Sequence, residues 1–142
     1  MEPPFSSYTK AWHNKPYPAI DPTREELSCA GKTVVVVGAS QGIGKSIALA
    51  FAEAGAAHIA LLSRRFAPLN ELKSLISQDF PKVTTSVHIA DVTDEHALAE
   101  AAKAIGGWDV LITNAGVLQA AGISSLDANI SDWWRNFEVS HC

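Results

Sequence analysis

Four short clusters in the 142-residue chain carry side chains or spacings able to do chemistry. They are the glycines Gly38, Gly42 and Gly44, then Ser63-Arg64-Arg65, Asp91-Val92, and Asn114-Ala115-Gly116. Glycine lets a backbone turn tightly and removes the Cβ that would keep a phosphate, or a packed helix, at a distance. A guanidinium pairs with phosphate through forked hydrogen bonds. These residue types together suit an anionic, phosphate-bearing ligand. His141-Cys142 is the other reactive pair, but adjacent residues at a chain end make neither a metal set nor a nucleophile with its base. No metal site and no catalytic residue is assigned.

The elements that would position these clusters follow from periodicity. Lys32 to Gly38 runs through four valines, the pattern of a strand buried on both faces in a parallel sheet. Ile43, Ile47, Ala50, Phe51 and Ala54 recur at helical spacing, and Gly55 stops that helix. A helix start after a buried strand offers free N–H groups and a positive dipole end. His58 to Leu62 reads as the second strand, and Leu69, Leu72, Leu75 and Ile76 mark a helix closed by Pro81. Val83 to Ile89 alternates as a strand, and Thr93 or Asp94 can cap a third helix ending at Gly106-Gly107. Val110 to Thr113 is the fourth strand, residues 114 to 130 a loop, and a last helix starts near Ser131.

This β-α alternation predicts a Rossmann-like α/β fold, a doubly wound parallel sheet ordered 3-2-1-4 and ending soon after strand 4. Such sheets bind ligands beyond the carboxyl ends of their strands. Gly38, Ser63, Asp91 and Asn114 all fall at those ends. A dinucleotide site is the expectation.

The net charge of −4 argues against a nucleic-acid partner, which calls for a basic surface. No apolar run reaches a membrane span of ~18 residues, and Cys29 and Cys142 are too few for a disulfide framework. The expectation is a cytoplasmic protein without membrane contact. Residues 1–30 are set apart by Pro3, Pro4, Pro16, Pro18 and Pro22 among aromatics, and read as an extension draped on a domain over 31–142.

In this order and at these strand ends, the motifs resemble those of the short-chain dehydrogenase/reductase family, from about Gly31 to Val139. The run Gly38-Ala39-Ser40-Gln41-Gly42-Ile43-Gly44 is similar to that family's Gly-x-x-x-Gly-x-Gly loop, with Val37 where threonine often stands. The resemblance implies that Gly38, Ser40, Gly42, Ile43 and Gly44 hold the pyrophosphate side of a nicotinamide dinucleotide. It implies adenine contacts from Asp91 and Val92, and a ribose side lined by Asn114, Ala115 and Gly116. An Asp or Glu at the end of strand 2 would accept hydrogen bonds from the ribose of NAD. Ser63 stands there instead, followed by Arg64 and Arg65. NADP(H) is therefore favoured over NAD(H), with Arg64 expected at the 2′-phosphate.

The family's hydride chemistry uses a tyrosine acid/base whose phenol, with a pKa of ~10, is brought down by a lysine one helical turn on. Here Tyr8 and Tyr17 are followed at that spacing by Trp12 and Asp21, and Ser140 stands where an asparagine is implied. The resemblance thus implies the NADP(H)-binding portion of an oxidoreductase, cut before its Tyr-x-x-x-Lys half. The alternative is a non-catalytic nucleotide-binding or interaction module. An open strand 4 and an uncovered Trp133, Trp134 and Phe137 would then take a partner protein or a second copy. A doubly wound protein for another nucleotide-bearing ligand, such as a methyl donor, fits the Asp91-Val92 and Asn-Ala-Gly signals less well.

Overall fold

The computed structural model describes residues 17–117 and 130–140, apart from the side chains of Asp132 and Trp133. Four parallel strands, β1 (Thr33–Val37), β2 (His58–Ser63), β3 (Thr84–Ile89) and β4 (Val110–Thr113), lie in the order β3-β2-β1-β4. Between and after them run α1 (Gly42–Glu53), α2 (Phe66–Asp79), α3 (Glu95–Ile105) and α4 (Ile130–Ser140). The order is the one the alternation implies, and the fold is Rossmann-like.

β1 is central, so its valines are buried on both faces. Val34 and Val36 pack with Ile59, Leu61, Leu69, Leu72 and Ile76 on the α1/α2 side. Val35 and Val37 pack with Ala60, Leu62 and Ala101 on the α3 side. Every apolar side chain in such a strand gains on burial, and none alternates out to water.

The ends of the elements have identifiable causes. Gly55, at φ 79°, closes α1 as the Ala56 N–H bonds Phe51 O at 3.1 Å and the Gly55 N–H bonds Ala52 O at 3.0 Å. Asp94 rather than Thr93 caps α3, its carboxylate accepting from the Ala97 N–H at 3.0 Å. β3 begins at Thr84, one residue later than the alternation suggests, because the Val83 N–H is taken by Phe80 O in the preceding turn. At the far end of the sheet, Asp109 accepts from the Thr33 N–H at 2.8 Å and from Lys32 Nζ at 3.0 Å. That clamp sets β4 against β1.

Residues 17–30 hold two single 3₁₀ turns and no buried residue in them. Their tail is anchored where the Cys29 N–H bonds Ala54 O at 2.8 Å and Cys29 packs against the core. Residues 1–16 of the expected extension lie outside the described residues. So do most of the loop between β4 and α4, the Trp133 side chain and the His141-Cys142 pair.

β2 and β3 share a polar tie. His58 Nε2 and His88 Nε2 lie 2.9 Å and 2.8 Å from Ser86 Oγ. Burial lowers the pKa of both histidines from the ordinary 6.5, and the His58 charge lowers His88 further. The unfolded chain, with the higher values, binds protons first. The pair's contribution is therefore whole above 6.5 and is lost as pH falls towards the lower folded values. Urea unfolding should show a falling midpoint between neutral pH and about pH 5, and His88→Gln should flatten that fall.

Candidate functional site

The strand register brings the four clusters to one edge. Val37 is level with Leu62 and Thr113, and Ser63 is level with Ile89. The next residues, Gly38, Arg64, Ala90-Asp91 and Asn114, are thus delivered together past the carboxyl ends. Backbone bonds hold them there. The Gly38 N–H donates to Leu62 O at 2.8 Å, the Ala90 N–H to Ser63 O at 3.2 Å, and the Asn114 N–H to Val37 O at 3.1 Å.

A cleft of about 880 Å³ opens at this edge. Gly38, Ser40, Gly42, Ile43, Ser63, Arg64, Asp91, Val92, Asn114, Ala115 and Gly116 line it. Of the expected set, Gly44 alone is not on the cleft wall: it is buried behind it. A Cβ on Gly44 would collide with Gly38 O and come within 2.7 Å of Asn114 Nδ2. Asn114 Nδ2 itself reaches towards Gly38 O at 3.5 Å. Gly38, at φ 80°, has the Ala115 backbone where its own Cβ would stand, at 2.8 Å. The glycines serve here as points of close approach between α1, β1 and the segment after β4.

Three further polar residues, Gln41, Arg65 and Arg135, line the cleft beyond those expected to contact the cofactor. Gln41 is the N-cap of α1, yet its side chain makes no cap hydrogen bond. Its Oε1 instead accepts from Arg65 Nη2 at 2.6 Å, which leaves the first-turn N–H groups of α1 without a side-chain partner at Gln41. Arg65 also reaches Ser40 Oγ at 3.4 Å, tying the end of β2 to the glycine loop. Arg64 takes a different direction. Its Nη1 lies 3.6 Å from Asp91 Oδ2, and Arg135 Nη2 from α4 lies 3.5 Å from the same oxygen.

Asp91 Oδ1 is filled separately, accepting from Thr93 Oγ1 at 2.9 Å and the Thr93 N–H at 3.1 Å. Partial burial raises the pKa of this carboxyl, but the Thr93 bonds and then the two guanidiniums outweigh it and hold it below the ordinary 3.8. Asp91 is thus a carboxylate at neutral pH. The sequence signal for Gln41 and Arg65 was their place within the two motifs. Arg135 carried none, because it belongs to a helix that follows the loop after β4.

A glycine-cornered, arginine-bearing cleft at the carboxyl edge of a doubly wound sheet defines a nucleotide-binding domain of the Rossmann class. Comparison with known proteins narrows the class. The family model described as short chain dehydrogenase matches residues 32–141, and the chain belongs to that family of oxidoreductases. The short chain dehydrogenase tazN of Aspergillus terreus is 38% identical over 133 residues, covering 90% of this chain and 28% of its own length. The short chain dehydrogenase pigC of Monascus ruber is 36% identical, covering 93% of this chain and 45% of its own. Among solved structures, L-sorbose reductase of Gluconobacter frateurii complexed with NADPH and L-sorbose superposes with a TM-score of 0.70. It is 30% identical and covers 79% of this chain and 43% of that one. The chain spans less than half the length of these relatives.

Gly44→Ala should test the close approach. The added methyl meets backbone that cannot yield, so a loss of about 1–3 kcal/mol in stability is expected by urea titration. Gln41→Ala, on the open surface of the loop, should leave stability within about 0.5 kcal/mol.

Proposed function

We propose that this chain is the NADP(H)-binding portion of a short-chain dehydrogenase/reductase-type oxidoreductase, one that transfers hydride between cofactor and a carbonyl or alcohol in the longer domain. The observation that carries the reading is the charge of the cleft. Among the described residues, its wall holds Arg64, Arg65 and Arg135 against Asp91 alone, a net +2 on a chain of −4. Charge of that sign in a concave wall attracts an anion with more phosphate than NAD carries. The NADPH held by L-sorbose reductase is in keeping with this.

In this reading Gly38, Ser40, Gly42 and Ile43 face the pyrophosphate, with Gly44 setting the loop's shape from behind. Arg64 meets the 2′-phosphate, Asp91 and Val92 the adenine, and Asn114, Ala115 and Gly116 the ribose side. Ser63 shapes the bend at the end of β2, its Oγ 3.3 Å from the Arg65 nitrogen. The domain runs over 31–142 with 1–30 as an extension, and the cytoplasm, where NADP(H) serves reductases, is its proposed setting. The cofactor supplies the hydride; this chain's residues bind and orient it.

Thermal unfolding with each cofactor checks the reading. A ligand at a hundredfold excess over Kd raises apparent stability by about 2.7 kcal/mol. NADPH should raise the midpoint more than NADH does, and Arg64→Gln should remove most of the difference. No shift with either cofactor, from a cooperatively unfolding sample, would end the proposal.

A second reading rests on a different observation. β4 is the edge of the described sheet, and an apolar groove of about 320 Å³ lies beside it, between Leu98, Ile105, Trp108 and Leu111. Trp134 and Phe137 on α4 are 54% and 41% exposed, their rings 6.0 Å apart. An edge strand beside an apolar groove favours association, with a second copy or with another protein. Sedimentation of the purified chain should then give a mass above one protomer, and Leu111→Lys should restore the protomer mass. A monomer at all concentrations argues against self-association.

A further inference from the structure

The two oxygens of Asp91 are used unequally. Oδ1 is held by Thr93, whereas Oδ2 stands between two guanidiniums that come from different elements. Arg64 arrives from the turn between β2 and α2, and Arg135 from α4. Arg135 is kept on this side of α4 by Val139, one turn further along, which is buried and lines the same cleft. Its guanidinium therefore has a fixed origin beside Asp91. Arg64, on the short connection, is the freer of the two to turn elsewhere.

Asp91 needs a cation because its side chain is only 27% exposed. If Arg64 were its sole partner, drawing Arg64 to a phosphate would leave that carboxylate facing the same cleft uncompensated. With Arg135 in place the exchange costs less. We propose that Arg135 is a positioning residue for cofactor selection: by compensating Asp91, it releases Arg64 to meet the ribose 2′-phosphate of a bound dinucleotide. The inference rests on the NADP(H) reading and extends it to a residue on the helix after β4. A dinucleotide lacking the phosphate makes no demand on Arg64, so Arg135 matters little to it.

The test measures binding of NADPH and of NADH to the full chain by calorimetry, for wild type, Arg135→Gln, Arg135→Lys, Asp91→Asn and the Arg135→Gln/Asp91→Asn double variant. Arg135→Gln should weaken NADPH by about two- to fivefold, the range of a part-exposed ion pair, and leave NADH within error. Arg135→Lys, which keeps the charge, should recover most of the loss. In the Asp91→Asn background, Arg135→Gln should change neither cofactor's affinity. An equal loss for both cofactors would mark a merely structural role and overturn the inference, as would an unchanged NADPH affinity. Should Arg135→Gln fail to fold, Asp91→Asn alone reads the same coupling: the NADPH:NADH affinity ratio should hold or rise, and a fall overturns it. Wild type binding both cofactors equally would bring down the NADP(H) reading and this inference with it.

Discussion

The site depends on one steric constraint, the absence of room for a Cβ between α1 and the end of β1. Gly44 sits against Gly38 O and the Asn114 side chain, and Gly38 sits against the Ala115 backbone. Each glycine thus lets another segment come closer than any side chain would permit. The first consequence is that α1 starts directly over the end of the central strand. The second is that the segment after β4 is drawn in beside it. Without that approach Asn114 and Gly38 would belong to separate walls, and the cleft would lose its floor.

Charge is arranged on this frame with an economy that the chain's overall sign conceals. The protein carries a net −4, yet the cleft wall carries the opposite sign. Its three arginines are used in two ways. Arg65 is bound to the glycine loop through Gln41 and Ser40, which ties the end of β2 to the start of α1. Arg64 and Arg135 share one carboxylate oxygen at 3.6 and 3.5 Å. Those separations are ion pairs rather than aligned hydrogen bonds, held in a part-exposed place where such pairs are worth little singly. An arrangement of weak, shared contacts is easily re-partitioned when a stronger anion arrives.

Much of this could be read from the chain. Four consecutive valines next to glycine can only be a strand with no wet face, and strand order then follows from the alternation of elements. Because strand ends in a parallel sheet align, the clusters at Gly38, Ser63, Asp91 and Asn114 had to meet on one edge. What the chain did not disclose were the relations between side chains of distant elements. Which of Arg64 and Arg65 turns towards the glycine loop depends on rotamers and on an acceptor at Gln41, not on spacing. Arg135 has no motif around it, since its pairing with Asp91 is set by how α4 docks through Val139. Gly44 was legible as a glycine that the loop requires, but its place behind the wall is a matter of packing depth.

The two faces of the sheet differ in how completely they are closed, and the difference bears on what this portion can do. α1 and α2 cover one face, where Ile59, Leu61, Leu69, Leu72 and Ile76 are fully buried. On the other, α3 covers β1 and β2, while Leu111 of β4 and Trp108 before it stay half exposed beside the groove. Burial is worth ~25 cal/mol per Å² of apolar surface, so the closed face supplies most of the stability and the open one little. The cleft draws on both. Its glycine loop and arginine turn are rooted in the closed face, through β1, α1 and β2. Arg135 and the Asn114–Gly116 segment are rooted near the open one, through α4 and β4. The Asn114–Gly116 segment follows β4 directly, so its position depends most on whatever packs against that strand, whereas Arg135 keeps its place through the buried Val139. An occupant of that edge would act on the Asn114–Gly116 side of the cleft first, and on the glycine loop last.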